Sequence, residues 1–165
     1  MKRDIMEYGA DPNGIRNCAG AIQKAIDEVY LSGGGMVVIP PGSYLSGSFV
    51  LKSRVDLHLD EGSRIVCSLK KEDISPLHSG EEAIGKDTLW DSGVFISALH
   101  AHDVTISGEG EIDGQGCQVF FDDGADGGAG ECPLATKGFR PRLTLFEDVE
   151  RLTIKGITIR DAAYW

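Results

Sequence analysis

Two hydrophobic periods divide the chain. Between Asn17 and Leu31, apolar residues fall at Ala21, Ile22, Ala25, Ile26, Val29 and Tyr30. Steps of three and four put these side chains on one stripe of a helix. The spacing predicts a helix over about 17–31. Asn17 is the expected N-cap, because its side-chain oxygen can accept from an orphan amide of the first turn. Gly33, Gly34 and Gly35 stop the helix, since glycine enters the left-handed region without a Cβ clash. Beyond them the period drops to two. MVVIPPGSY predicts a strand at Val37 to Ile39, a Pro-Pro-Gly turn, and a second strand at Tyr44 and Leu45.

From there a set of three short strands recurs. The first set is SFVL, VDLHL and SRIV; the second is VFIS, VTIS and GEID; the third is LTLF, LTIK and ITIR. The middle members begin at Val55, Val104 and Leu152, spacings of 49 and 48 residues. Such self-similarity marks a repeat architecture. Three strands and short turns per unit suit a solenoid that winds once per repeat, each strand pairing in parallel with its equivalent about 4.8 Å away. Two segments, about 68–92 and 114–140, interrupt the pattern as inserted loops; without them each coil is about twenty residues. The expected fold is therefore an all-β parallel β-helix with an N-terminal capping α-helix, one domain over 1–165. An antiparallel β-sandwich is the competitor. Asn-Gly occurs once, before any strand, and hairpins would not preserve the order of strand types.

Composition narrows the partners. The net charge is −10. That excludes a nucleic-acid surface, which needs basic residues over the phosphates, and an anionic membrane surface. No run approaches eighteen apolar residues, so no membrane-spanning helix is expected. The start, MKRDIMEYGADPNG, lacks the apolar core of a secretory signal. The expectation is a cytoplasmic chain as the sequence stands, or a secreted or periplasmic one if a signal was removed. Four cysteines show no CxxC pair, and neither a metal nor a cofactor is expected. Cys117 and Cys132 flank a glycine-rich loop; they bridge in an oxidising compartment and stay free thiols in a reducing one.

Four stretches carry a family resemblance. They are YGADPNG with AIQKAID, GGGMVVIPPGSYLSGSFVLKSRVDLHLDEGSRIVCS, VTISGEGEIDGQG, and RPRLTLFEDVERLTIKGITIRDAAYW. Together they resemble the N-terminal part of glycoside hydrolase family 28, the polygalacturonases, within the pectin-lyase-like right-handed β-helices. GGGxVxIPPGxY alone also occurs in phage tailspikes and other β-helix proteins. The resemblance implies hydrolysis of α-galacturonosyl linkages with inversion, one carboxylic acid protonating the leaving oxygen while carboxylates activate water. In the family those groups sit in N-T-D and G-D-D motifs, and G-H-G and R-I-K motifs help to hold the anionic sugar.

None of the four is present. Asparagine occurs only at positions 13 and 17, the sole Asp pair is Asp122-Asp123 after Phe121, no histidine lies between glycines, and Arg64-Ile65 is followed by Val66. The expectation is a scaffold with no catalytic residues of its own. It takes pectic polysaccharide or oligogalacturonide if completed, as the N-terminal part of a larger enzyme or one half of a split one. The alternative is a non-catalytic β-helix module that binds polysaccharide or a partner chain. Lys137, Arg140 and Arg142 form the dense basic cluster, so Arg140 and Lys137 are candidate contacts for a carboxylated sugar, with Trp165 as a candidate stacking ring. The plainer readings are that Arg140 pairs with an acid and Trp165 packs in the core. Asp113 reads as a turn residue bonding backbone amides. Asp122, Asp123 and Asp126 read as a solvated acidic loop, and His100 and His102 beside Asp103 as exposed turn residues. GEGEIDGQG follows a strand but opens no helix, so it is not a dinucleotide fingerprint. The rung containing Ile157 and Ile159 has no successor in the sequence, which predicts self-association or a partner chain at that edge.

Overall fold

The computed structural model describes residues 1–76, 93–122, 134–136 and 140–163. A short strand, β1 (Lys2–Asp4), precedes helix α1 (Ala19–Leu31). The chain then winds in coils of three strands. The first coil is β2 (Gly35–Ile39), β3 (Gly42–Ser46) and β4 (Phe49–Val50). The second is β5 (Val55–Leu59), β6 (Ser63–Cys67) and β7 (Val94–His102). The third starts with β8 (Thr105–Gly108) and β9 (Glu111–Asp113). An antiparallel pair, β10 (Phe120–Asp122) with β11 (Leu134–Thr136), interrupts it before β12 (Arg142–Glu150). Strands β13 (Thr153–Ile154) and β14 (Thr158–Arg160) begin a fourth coil.

Equivalent strands stack in parallel into three sheets. Sheet A runs β1-β2-β5-β8-β13, sheet B runs β3-β6-β9-β14, and sheet C runs β4-β7-β12. The molecule is a parallel β-helix capped by α1, as the repeat predicts. Leu57 pairs with Ile106 and Ile106 with Ile154, so the 49- and 48-residue spacings are the register of sheet A. The repeat also extends one coil earlier than the threefold pattern. Val37 pairs with Leu57 and Tyr44 with Ile65, which makes MVVIPPGSY the first coil.

Alternation along each strand sends one column of side chains inward per sheet. Val37, Leu57 and Ile106 are fully buried in sheet A, and Tyr44, Ile65 and Ile112 in sheet B. Full burial of such a side chain contributes about 1.5–3 kcal/mol. The columns continue to Ile154 and Ile159, which are 42% and 39% exposed because no strand lies beyond β13 or β14 among the described residues.

The other end is closed. Ile22, Ala25, Ile26 and Val29 of α1 are buried in the same core. The helix begins at Ala19 rather than Asn17, and its cap position, Cys18, makes no side-chain cap bond. The Cys18 amide is spent on Leu45 O, 2.8 Å away, which pins that residue to β3. Asn17 still serves from one position earlier: its Oδ1 accepts from both Ala19 N and Gly47 N, each at 2.9 Å. Gln23 does more. Its amide accepts from Val50 N at 2.7 Å and donates to Val50 O at 3.2 Å. A helix side chain thereby satisfies the open edge of β4, which would otherwise invite another strand.

Candidate functional site

Each coil turns three corners, and they differ in kind. The A–B corner is tight: a Cβ on Gly108, whose φ is 114°, would lie 1.9 Å from Leu59 O. The C–A corner stacks left-handed residues, Arg54, Asp103 and Arg151, with φ of 61°, 55° and 57°. The B–C corner needs only Gly47 and Ser48 in the first coil, yet both long insertions leave from it in the second and third. Insertions on a rigid scaffold are where binding groups collect.

The outer face of sheet B leads into that corner and carries a charge lattice. Arg64 stacks on Glu111, and Asp113 on Arg160, in consecutive coils. Arg64 Nε lies 2.8 Å from Glu111 Oε1 and its Nη2 meets Asp113 Oδ2. Arg160 grips the same acids from above, Nε to Glu111 at 3.0 Å and Nη2 to Asp113 at 2.9 Å. Asp113 is 2% exposed. Burial alone would raise its pKa, but the Gln115 amide at 2.8 Å and the two guanidinium groups outweigh that and hold the carboxyl below its usual range. The Asp113 of the sequence reading is thus a turn residue, and also the centre of an ion lattice that reading did not contain. Its signal was available: the sheet B offset of 47 places Arg64 under Glu111 and Asp113 under Arg160.

After Asp113 the chain packs on the coil above. Gly114 N donates to Arg160 O at 3.0 Å, Gly116 N to Asp161 O at 2.6 Å, and Cys117 N to Asp161 Oδ1 at 3.1 Å. Gln115 holds a left-handed φ of 53° and donates from Nε2 to Cys67 O in the coil below, at 2.7 Å. Arg140 is half-buried just ahead of β12, at the return from the second insertion. It therefore reaches the B–C corner. Lys137 and Trp165 lie outside the described residues, as do Asp123, Asp126 and Cys132; Asp122 lies in β10.

The remaining chemistry-bearing groups are engaged elsewhere. His100 Nδ1 lies 2.9 Å from Asp148 Oδ2, and that carboxylate raises its pKa. His102 Nδ1 lies 2.9 Å from Asp103, which also holds Arg151. Both histidines lie in the last residues of β7, leading into the C–A corner, rather than in a turn, and no cluster of three or more metal-ligating side chains occurs among the described residues. Sheet A carries a Ser-His-Asp grouping on its outer face: Ser107 Oγ is 2.8 Å from His58 Nδ1 and 2.8 Å from Asp56, and His58 Nε2 is 3.5 Å from Asp60. Ser107 is buried and the amides of β8 pair with β5 and β13, so no donors are left for an oxyanion. The Cys67 thiol, pushed up to about 12 by burial, is no nucleophile either.

No protein-family model matches the chain, and no curated protein matches it. Solved structures do. An exopolygalacturonase of Thermotoga maritima superposes with a TM-score of 0.75 at 22% identity, over 100% of this chain and 43% of that enzyme. The family 28 exopolygalacturonase of Yersinia enterocolitica gives 0.74 at 21% identity, over 99% and 35%. PfbA, a surface adhesin of Streptococcus pneumoniae, gives 0.58 at 24%, over 97% and 33%. The chain spans less than half the length of each of these neighbours. At these identities the likeness establishes architecture, and the chain has the β-helix fold of the polygalacturonases.

Proposed function

We propose that this chain is the N-terminal scaffold portion of a glycoside hydrolase acting on pectic polysaccharide, without hydrolytic activity of its own. A carboxylated sugar binds at the B–C corner with Arg140 as a contact, and Lys137 and Trp165, outside the described residues, are further candidate contacts. One observation supports the reading: both insertions leave the coil at the B–C corner, and the second returns there through Arg140, just ahead of β12. Inverting hydrolysis needs a protonated carboxyl and a free carboxylate on opposite faces of the bond. Asp113, the buried acid nearest that corner, is committed to Arg64 and Arg160 and has no proton to give. The N-T-D and G-D-D residues are not among the 165. Purified chain incubated with polygalacturonate is expected to release no reducing ends above a blank; sustained release refutes the assignment of inactivity.

A second reading is a non-catalytic polysaccharide-binding module, which the shared fold of an adhesin favours. The two part on completion. A separately expressed segment bearing the four motifs restores hydrolysis under the first reading and does nothing under the second. Among the described residues no strand lies beyond β13 or β14, and that edge is where such a segment, or a second copy of the chain, pairs.

A further inference from the structure

The turn that follows β9 does more than reverse the chain. Asp113 and Glu111 are both gripped by Arg64 and Arg160, but Asp113 is buried and also accepts from the backbone of its own coil. Arg64 reaches it from the second coil, Gln115 N from its own, and Arg160 from the fourth. The residues after it repeat the grip. Gln115 Nε2 reaches down to Cys67 O, while Gly114 N, Gly116 N and Cys117 N reach up to Arg160 and Asp161. The contact is too close for side chains: a Cβ on Gly114 would come within 2.7 Å of Asp161 O, and one on Gly116 within 2.6 Å of Ala162 O. Asp161 itself is left-handed, with φ of 57°. A residue bent that way stays so only where its surroundings over-determine it. Here the surroundings are the 113–117 turn.

We propose that Asp113 is the positioning residue of the B–C corner. Its carboxylate fixes the height and direction in which the second, third and fourth coils leave sheet B. It so spaces the groups that meet a carboxylated sugar there; that last part rests on the proposed function. Asp113 touches no sugar. It acts from a buried position through the backbone of residues 114–117 and 161–162.

Hydrogen exchange on the full chain separates this role from general support. In Asp113→Asn, the Gly114, Gly116 and Cys117 amides are expected to exchange at least tenfold faster, while the Lys155 amide, bonded to Ile106 O in sheet A, keeps its rate. Equal acceleration at all of these amides, or at none, overturns the proposal. Should Asp113→Asn fail to fold, Arg160→Met removes the upper anchor of Asp113 together with the Arg160–Glu111 pair, and the same local pattern is required of it. A titration with an oligogalacturonide is run beside the exchange. If the unaltered chain does not bind, the proposed function falls while the exchange result still decides the positioning role. If it binds, Asp113→Asn is expected to weaken binding about tenfold, and unchanged binding refutes the link to the sugar.

Discussion

Asp113 and His100 respond to pH in opposite directions, and each sign follows from its neighbours. The Asp113 carboxyl is held below its usual value of 3.8, so its ionised form stabilises the fold. That contribution is complete above about pH 4 and is lost as pH falls through the lowered native value. Asp113→Asn removes it at neutral pH, at a cost of about 2 kcal/mol, the scale of a hydrogen bond to a charged group. Urea midpoints followed from pH 7 to pH 2 check this: the unaltered chain weakens over the acid limb, and the variant starts weaker and follows a flatter course. His100 titrates above its ordinary 6.5 because of Asp148. Its pairing helps the fold below pH 6.5 and is lost as pH rises through the raised value. The pair is exposed and salt-screened, so its effect on stability is small. Asp148→Asn should return the His100 titration midpoint, read by NMR, towards 6.5 without unfolding the chain; an unmoved midpoint means that the ion pair does not form.

At the scale of elements, the strands and cap were legible because alternation and helical spacing are local. The strands of the first coil are legible too, at Val37–Ile39 and Tyr44–Leu45; the threefold pattern, phased on sets that begin at Phe49, leaves them outside the repeat. The start of α1 was misplaced by two residues because Cys18 is held by β3, a contact that sequence spacing cannot register. The ion lattice is not legible along the chain, because its charges pair across coils at the 47-residue offset of sheet B. Two substitutions test how the elements are joined. Gly108→Ala drives a methyl into Leu59 O and should cost about 3 kcal/mol, at the severe end for one residue; a loss under about 1 kcal/mol would show that the A–B corner can relax. Gln23→Ala uncovers the β4 edge and should cost about 1 kcal/mol, with faster exchange at Val50. Unchanged exchange there would show that the side-chain amide does not seal the edge.

The whole molecule is asymmetric along its axis. One end is sealed by α1, Asn17 and Gln23; the other presents Ile154, Ile159 and the edges of β13 and β14. The charge of −10 keeps such a surface soluble but does not satisfy its strand edges. Sedimentation velocity on the 165-residue chain should show concentration-dependent association through that end, and association should diminish when Ile154 and Ile159 are both replaced by lysine. A monomer at every concentration contradicts pairing at this edge. The B–C corner carries the functional claim, and amide NMR during titration with an oligogalacturonide tests it most directly. The account predicts shifts confined to Gly114–Cys117, Arg140–Arg142 and Asp161–Ala163, reduced by Arg140→Ala. Shifts on the outer face of sheet A instead, or none at saturating sugar, would contradict it.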